Sequence, residues 1–225
     1  MALELIEYPD GEMMMIDLAG KLASELRQSL LNHDHVSFAV PGGTTPGPVF
    51  DNLCSANLDW SRVHVLLTDE RWVPETSERS NTRLLRQRLL TNRAAAATYV
   101  PLYADAPTPE DKLADLQEAL KPELPLSLVL LGMGADMHTA SIFPGADQLD
   151  LALNGTDTLV AMRAPGAPEP RITLSARVLR EAMSRHIVIV GNDKREALER
   201  ANGMSPSEAP VAAILPGTIV HWAES

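Results

Sequence analysis

The sequence predicts an α/β fold with a mostly parallel sheet flanked by helices. Short runs of β-branched residues and leucine (Val36–Val40, Val63–Leu67, Leu128–Leu131 and residues 186–190) alternate with helix-period segments along the chain. Two of these runs pass straight into glycine-rich turns, Pro41-Gly42-Gly43-Thr44-Thr45-Pro46 and Gly132-Met133-Gly134. Strands that end this way place polar groups at the carboxyl edge of a sheet, where open α/β folds bind ligands. No internal repeat, low-complexity tract or long linker divides residues 1–225, so one domain is expected.

The elements follow in order. Residues 3–8 alternate loosely and read as an edge strand, and Pro9-Asp10-Gly11 is a turn signal. Met15, Leu18, Leu22, Leu26 and Leu30 recur at spacings of three and four, which predicts an amphipathic helix over residues 12–31, with its methionines packed in the core. After the strand Val36–Val40 and its glycine turn, a helix is expected through Val49, Phe50 and Leu53. The strand Val63–Leu67 ends in Thr68-Asp69-Glu70-Arg71-Trp72. Taken alone, three adjacent charges are better read as a solvated loop than as a cluster with chemistry. Ser80-Asn81 caps a helix over residues 82–90, whose arginines face water except Arg83, near the start. A short strand is expected at 99–102. Thr108-Pro109-Glu110-Asp111 starts a helix that runs to Leu120. The strand Leu128–Leu131 leads into Asp136 and His138, with a helical turn starting at Thr139-Ala140-Ser141. Then come a strand at 158–162, an irregular loop at 164–170, a strand from Arg171, a helix to Met183, the strand at 186–190 and a helix at 192–201. A strand-like segment at 218–222 finishes the chain.

Composition narrows the function. Apolar residues make up 45% of the chain and charged residues 22%, as in ordinary globular proteins. The net charge of −11 argues against nucleic acid or an anionic membrane as partner. An anionic substrate would need a local cationic pocket to overcome that field. Cys54 is the single cysteine, which excludes an internal disulfide and fits a reducing, cytoplasmic location. No signal peptide and no membrane-length apolar run is expected.

Two stretches carry candidate chemistry. The glycines at 42 and 43 let backbone N–H groups approach an anion, Thr44 and Thr45 add hydroxyl donors, and a helix start adds partial positive charge. On the loop alone, an anion cradle and a tight turn with a threonine cap are equal readings. It is not a P-loop, since the lysine is missing. Asp136 and His138, two residues apart on a turn, can reach one cavity. Histidine suits a general base near neutral pH, and the aspartate suits an orienting group or a partner for a sugar hydroxyl. They supply two metal ligands with no third at a suitable spacing, so no metal and no other cofactor is expected.

Five stretches together resemble the 6-phosphogluconolactonase family, enzymes that hydrolyse 6-phosphoglucono-δ-lactone in the pentose phosphate pathway. They are residues 41–46, Thr68-Asp69-Glu70-Arg71-Trp72-Val73-Pro74, Ser80-Asn81, Leu131-Gly132-Met133-Gly134-Ala135-Asp136-Met137-His138-Thr139-Ala140-Ser141-Ile142-Phe143-Pro144-Gly145, and Arg171-Ile172-Thr173-Leu174. Each alone is weak; their order is specific. The resemblance implies a Rossmann-like fold shared with glucosamine-6-phosphate deaminases and ribose-5-phosphate isomerases. It implies His138 as the base with Asp136 beside it, and substrate contacts from Gly42, Gly43, Thr44 and Thr45. It further implies Arg71, Arg83 and Arg171 on phosphate or oxyanion, with Asp69, Glu70 and Asn81 on sugar hydroxyls or orienting those arginines. The partner is a small sugar-phosphate lactone, and the chain is expected as a monomer or homodimer. Two departures stand out. Met137 replaces the usual glycine of Asp-Gly-His, and the loop at 164–170 lacks the family's common lysine, which leaves the implied phosphate site one cation short.

Three other readings compete. An aminosugar-phosphate isomerase/deaminase usually carries a glutamate five residues past the motif histidine, and this chain has Phe143 there. A dinucleotide fingerprint fails because its third glycine position is Met137. A catalytically impaired sugar-phosphate-binding protein is the non-enzyme reading, motivated by Met137 and the missing lysine.

Overall fold

The computed structural model describes residues 3–225. In chain order its elements are β1 (Glu4–Glu7), α1 (Gly11–Ser29), β2 (Val36–Val40), α2 (Gly47–Leu53), β3 (Val63–Leu67), β4 (Asp69–Arg71), α3 (Asn81–Arg88), β5 (Thr98–Val100), α4 (Leu113–Leu120), β6 (Leu128–Leu131), α5 (Leu149–Asn154), β7 (Leu159–Met162), β8 (Arg171–Leu174), α6 (Ala176–Glu181), β9 (Ser184–Val190), α7 (Asn192–Ala201) and β10 (Ile219–Ala223). Seven strands form a parallel sheet in the order β1-β10-β9-β6-β2-β3-β5. The other three form an antiparallel sheet in the order β4-β8-β7.

The parallel sheet is Rossmann-like. Every residue of β2 and β6 is buried. Neighbours along a strand point to opposite faces, so both faces of the sheet centre are covered. α1 contributes Met14, Met15, Leu18, Leu22 and Leu26 to the core, each about 1.5–3 kcal/mol when fully buried. Its start is fixed by Asp10, whose carboxylate accepts from the Met13 amide at 2.8 Å. From β2 the chain steps outward to β3 and β5, then returns to β2's other side at β6 and steps away through β9 and β10. That reversal between β2 and β6 opens a crevice at the carboxyl ends of both strands.

Three expectations need correction. The charged run after β3 is no solvated loop: Asp69–Arg71 is a strand of the second sheet, with Asp69 and Glu70 buried. No helical turn starts at Thr139. Met137 and Ala140 take φ of +65° and +49°, which interrupts a right-handed helix, and Thr139 instead bridges Ile142. The helix from Thr108 breaks at Lys112 into a 3-10 turn with a capping box, Pro109–Asp111, and α4. The short α5 was not anticipated, because its six residues are too few to show a period.

Between α1 and the sheet runs a polar chain, buried at His186 and His221 and open to solvent at Asp17. Tyr8 donates to Asp17 at 2.6 Å and lies 2.9 Å from His221 Nδ1. His221 Nε2 meets His186 Nδ1 at 2.9 Å, and His186 Nε2 lies 3.0 Å from Glu25. Burial, reinforced by the charge of His186, lowers His221 from 6.5 to about 3. Above the ordinary value both the folded and unfolded chains hold this ring neutral. Between there and about 3 only the unfolded chain takes up the proton, so stability falls as pH drops through that window. The loss is of order a few kcal/mol. Urea titrations at stepped pH check this: His221→Gln should flatten the slope of stability against pH, and a slope equal to the parent's would clear His221 of the effect.

Candidate active site

A cleft of about 300 Å³ lies at the reversal point, walled by residues 41–46 after β2 and by Gly132, Met133, Gly134, His138 and Ala140 after β6. The second sheet closes it with Asp69, Arg71 and Arg171, and Asn81 and Lys194 complete the polar lining. Of the residues singled out in the sequence, Gly42, Gly43, Thr44, Thr45, Asp69, Arg71, Asn81, His138 and Arg171 therefore share one cavity. Asp136, Glu70 and Arg83 do not line it.

Strand alternation explains the split between Glu70 and its neighbours. Asp69 and Arg71 are two apart on β4 and face the cleft, so Glu70 points the other way. There its carboxylate accepts from the amides of Arg71 (2.7 Å), Asn81 (2.9 Å) and Thr82 (2.8 Å), and from the Thr82 hydroxyl (2.8 Å). Burial pushes the Glu70 carboxyl above the usual carboxylate range, against the downward pull of these donors. Glu70 is therefore a clamp between β4 and the start of α3, and not a sugar ligand. Arg83 is also corrected: its guanidinium donates to the Thr76 carbonyl at 2.8 Å, outside the cleft lining.

Arg71 and Arg171 are directly paired across β4 and β8, which sets two guanidinium side chains on one wall. Like charges so placed repel. Asp69 relieves this in part, with Oδ2 at 4.0 Å from Arg171 Nη1. Burial is the main force lowering Arg171 from the ordinary arginine value, Asp69 opposes it and Arg71 adds to it. The buried Nε atoms of both arginines have no hydrogen-bond partner among the described residues. Two orphaned N–H donors on a cationic wall are suited to an anion.

The opposite wall carries the imidazole. His138 Nδ1 lies 2.5 Å from Asp136 Oδ1, and the same oxygen accepts from the His138 amide at 3.2 Å. The bond from His138 holds the Asp136 carboxyl below the usual carboxylate range. Asp136 thus sits behind the ring as an ionised orienting group, and Nε2 is the nitrogen left for chemistry. The left-handed residues Met137 and Ala140 flank His138, a local strain of about 1–3 kcal/mol each. Met137 does not enter the cleft; it packs toward the core, and its carbonyl accepts from the Val211 amide at 3.0 Å.

The glycine turn is shaped by close approach. Gly43 takes φ of +84°, and a Cβ on Gly42 would collide with the Asn81 side-chain amide, which itself donates to the Asp69 carbonyl at 3.1 Å.

The family described as glucosamine-6-phosphate isomerases/6-phosphogluconolactonase matches residues 9–222. The chain belongs to this family. Curated relatives named 6-phosphogluconolactonase include one from Mesorhizobium japonicum, 40% identical, with 92% of this chain and 88% of the relative covered. Another, from Pseudomonas aeruginosa, is 39% identical with 91% and 88% covered. The crystal structure of a 6-phosphogluconolactonase from Shewanella baltica superposes with a TM-score of 0.96 at 32% identity, covering 98% of this chain and 97% of the other.

Two residues of this family member were not read as site residues from the sequence. Lys194, in the first turn of α7, lines the cleft and adds a third cationic side chain to it. Its signal was its place just past a strand's carboxyl end, the edge that supplies the rest of the cleft. Phe143 stacks on His138 with ring centroids 4.3 Å apart, and Arg171 lies 5.6 Å from the centre of the same ring. An apolar ring thus braces the imidazole.

Removing the Glu70 carboxylate should leave the amides of Arg71, Asn81 and Thr82 unpaired, at about 1–3 kcal/mol each. Glu70→Ala is expected to lower unfolding free energy by about 3 kcal/mol or more, read from urea midpoints at unchanged m-value. A loss under about 1 kcal/mol would mean that water replaces the clamp.

Proposed function

We infer that the chain hydrolyses 6-phospho-D-glucono-1,5-lactone to 6-phosphogluconate, the lactone-opening step of the oxidative pentose phosphate pathway. One observation carries the reading: an imidazole held by a carboxylate faces, across a small cleft, two guanidiniums with orphaned N–H donors and a lysine. The naming of its relatives supports the same reaction. A cytoplasmic location belongs to the same proposal, and the buried free Cys54 fits a reducing compartment.

In the proposed mechanism His138 Nε2 takes a proton from a water that attacks the lactone carbonyl carbon. Asp136 keeps the other proton on Nδ1 and stabilises the imidazolium that forms. The tetrahedral oxyanion collapses, the bond from carbonyl carbon to ring oxygen breaks, and the proton on His138 passes to that oxygen. The dianionic phosphate is assigned to Arg71, Arg171 and Lys194 with the amides of Gly42, Gly43 and Thr44. Arginine forks match phosphate oxygens in pairs, and lysine adds a point charge. Asp69 and Asn81 are assigned to sugar hydroxyls, with Asp69 also holding Arg171.

His138→Ala should cost about 10²–10⁴-fold in turnover above spontaneous hydrolysis, with an unchanged melting temperature. Gly134→Ala should act in the same direction, since a Cβ there would collide with His138 Nδ1 and Asp136 Oδ1, the ends of two movable side chains. Turnover of fresh lactone at the parent rate by His138→Ala would remove the pair from the mechanism.

Lys194→Ala and Arg171→Ala should each raise KM for the phosphorylated lactone about tenfold or more, while leaving turnover of unphosphorylated gluconolactone near the parent value. An unchanged KM would place the phosphate elsewhere.

A further inference from the structure

At the amino edge of the parallel sheet, away from the cleft, His35, His64 and Glu123 converge. His35 precedes β2, His64 lies in β3, and Glu123 closes the 3-10 turn Lys121–Glu123. Some 20 Å of strand separates His35 from the cleft loop at Pro41, at about 3.3 Å per residue. His64 Nδ1 is 2.9 and 3.0 Å from the two Glu123 oxygens, and His35 Nε2 is 3.6 Å from Oε2. The two imidazoles stack with centroids 4.3 Å apart. One donor atom from each residue lies within 4.8 Å of the other two.

Four features point to a divalent metal. Two imidazole nitrogens and one carboxylate oxygen are a donor set that suits zinc. The Glu123 side chain is only 6% exposed, yet no lysine or arginine nitrogen among the described residues comes within 4.0 Å of it. A buried carboxylate is costly without a cation. The scaffold is also fixed. The Glu123 carbonyl accepts from Ser37 Oγ at 2.7 Å, and that oxygen accepts from the Ser127 amide at 3.1 Å. Both imidazoles are partly open to solvent, which leaves room for a fourth ligand from water.

We propose that His35 Nε2, His64 Nδ1 and a Glu123 oxygen bind one zinc ion, with water completing the tetrahedron. Zinc bonds of about 2.0–2.2 Å ask the donors to close by about an ångström, which rotation of the partly exposed rings supplies. The Nδ1 proton that His64 shares with Glu123 leaves to solvent when the ion enters. The ion pins the approaches to β2, β3 and β6 and raises stability by binding only the folded chain.

The test is calorimetric titration of Zn²⁺ into the full chain after treatment with a chelator, with thermal melts in parallel. One equivalent should bind and raise Tm by several degrees. His35→Ala and His64→Ala should each weaken binding about tenfold or more, and His138→Ala should bind as the parent does. Co²⁺ in place of zinc should give the visible absorption of a four- or five-coordinate site, lost in His64→Ala. His35→Ala, at a partly exposed ring, should fold and turn over lactone at the parent rate, so the metal site and the lactonase reading fail separately. The proposal is overturned by no saturable binding, by parent-like binding in His35→Ala, or by binding that disappears with His138→Ala.

Discussion

The Thr68 amide donates to the Val40 carbonyl of the parallel sheet at 2.9 Å, and the Thr68 carbonyl accepts from the Leu174 amide of the antiparallel sheet at 2.9 Å. A single residue between β3 and β4 thus carries backbone hydrogen bonds to both sheets. Because Thr68 is buried, neither bond can be traded for water without cost. This joint directs the chain out of β3 and over the crevice, so Asp69 and Arg71 overhang the cleft. Without it the glycine turn and the His138 loop would form half a site.

Electrostatics inside the cleft run against those of the whole molecule. The chain carries a net charge of −11, yet the cleft collects Arg71, Arg171 and Lys194 against Asp69 alone. Concentrating cations in a partly desolvated cavity costs stability when nothing is bound. Asp69 and the backbone carbonyl of Arg79, which accepts from Arg71 at 2.8 Å, offset part of that cost. The remainder is what an anionic substrate relieves. Glu70 contributes indirectly: by clamping β4 to the start of α3 it holds Arg71 and Asn81 at the rim.

The central sheet was legible in the sequence for a physical reason. Strands buried on both faces read as unbroken apolar runs, and Val36–Val40, Val63–Leu67 and Leu128–Leu131 appear in the structure with those bounds. Of the second sheet, the strands at 159–162 and 171–174 were legible and β4 was not. β4 is three charged residues whose pairing partner lies about a hundred residues on, and nothing local marks such a contact. The resemblance grouped Glu70 with Asp69 and Arg71, and period-two alternation along β4 separates them. Lys194 was hidden because the local pattern of α7 marks a helix but not the cleft that its first turn meets. The motif order indicated the family, which the match over residues 9–222 establishes.

β1 has one neighbour, β10, with Glu4 aligned to Ile219, and α1 packs against the same strand. During synthesis, therefore, the amino-terminal strand and the apolar stripe of Met14, Leu18, Leu22 and Leu26 emerge long before their partner strand leaves the ribosome. Until then that stripe must be shielded by α2 and the inner strands alone, or by a chaperone. Closing this edge of the sheet is thus a late event, and premature termination near residue 218 would leave a sticky nascent helix without its partner strand.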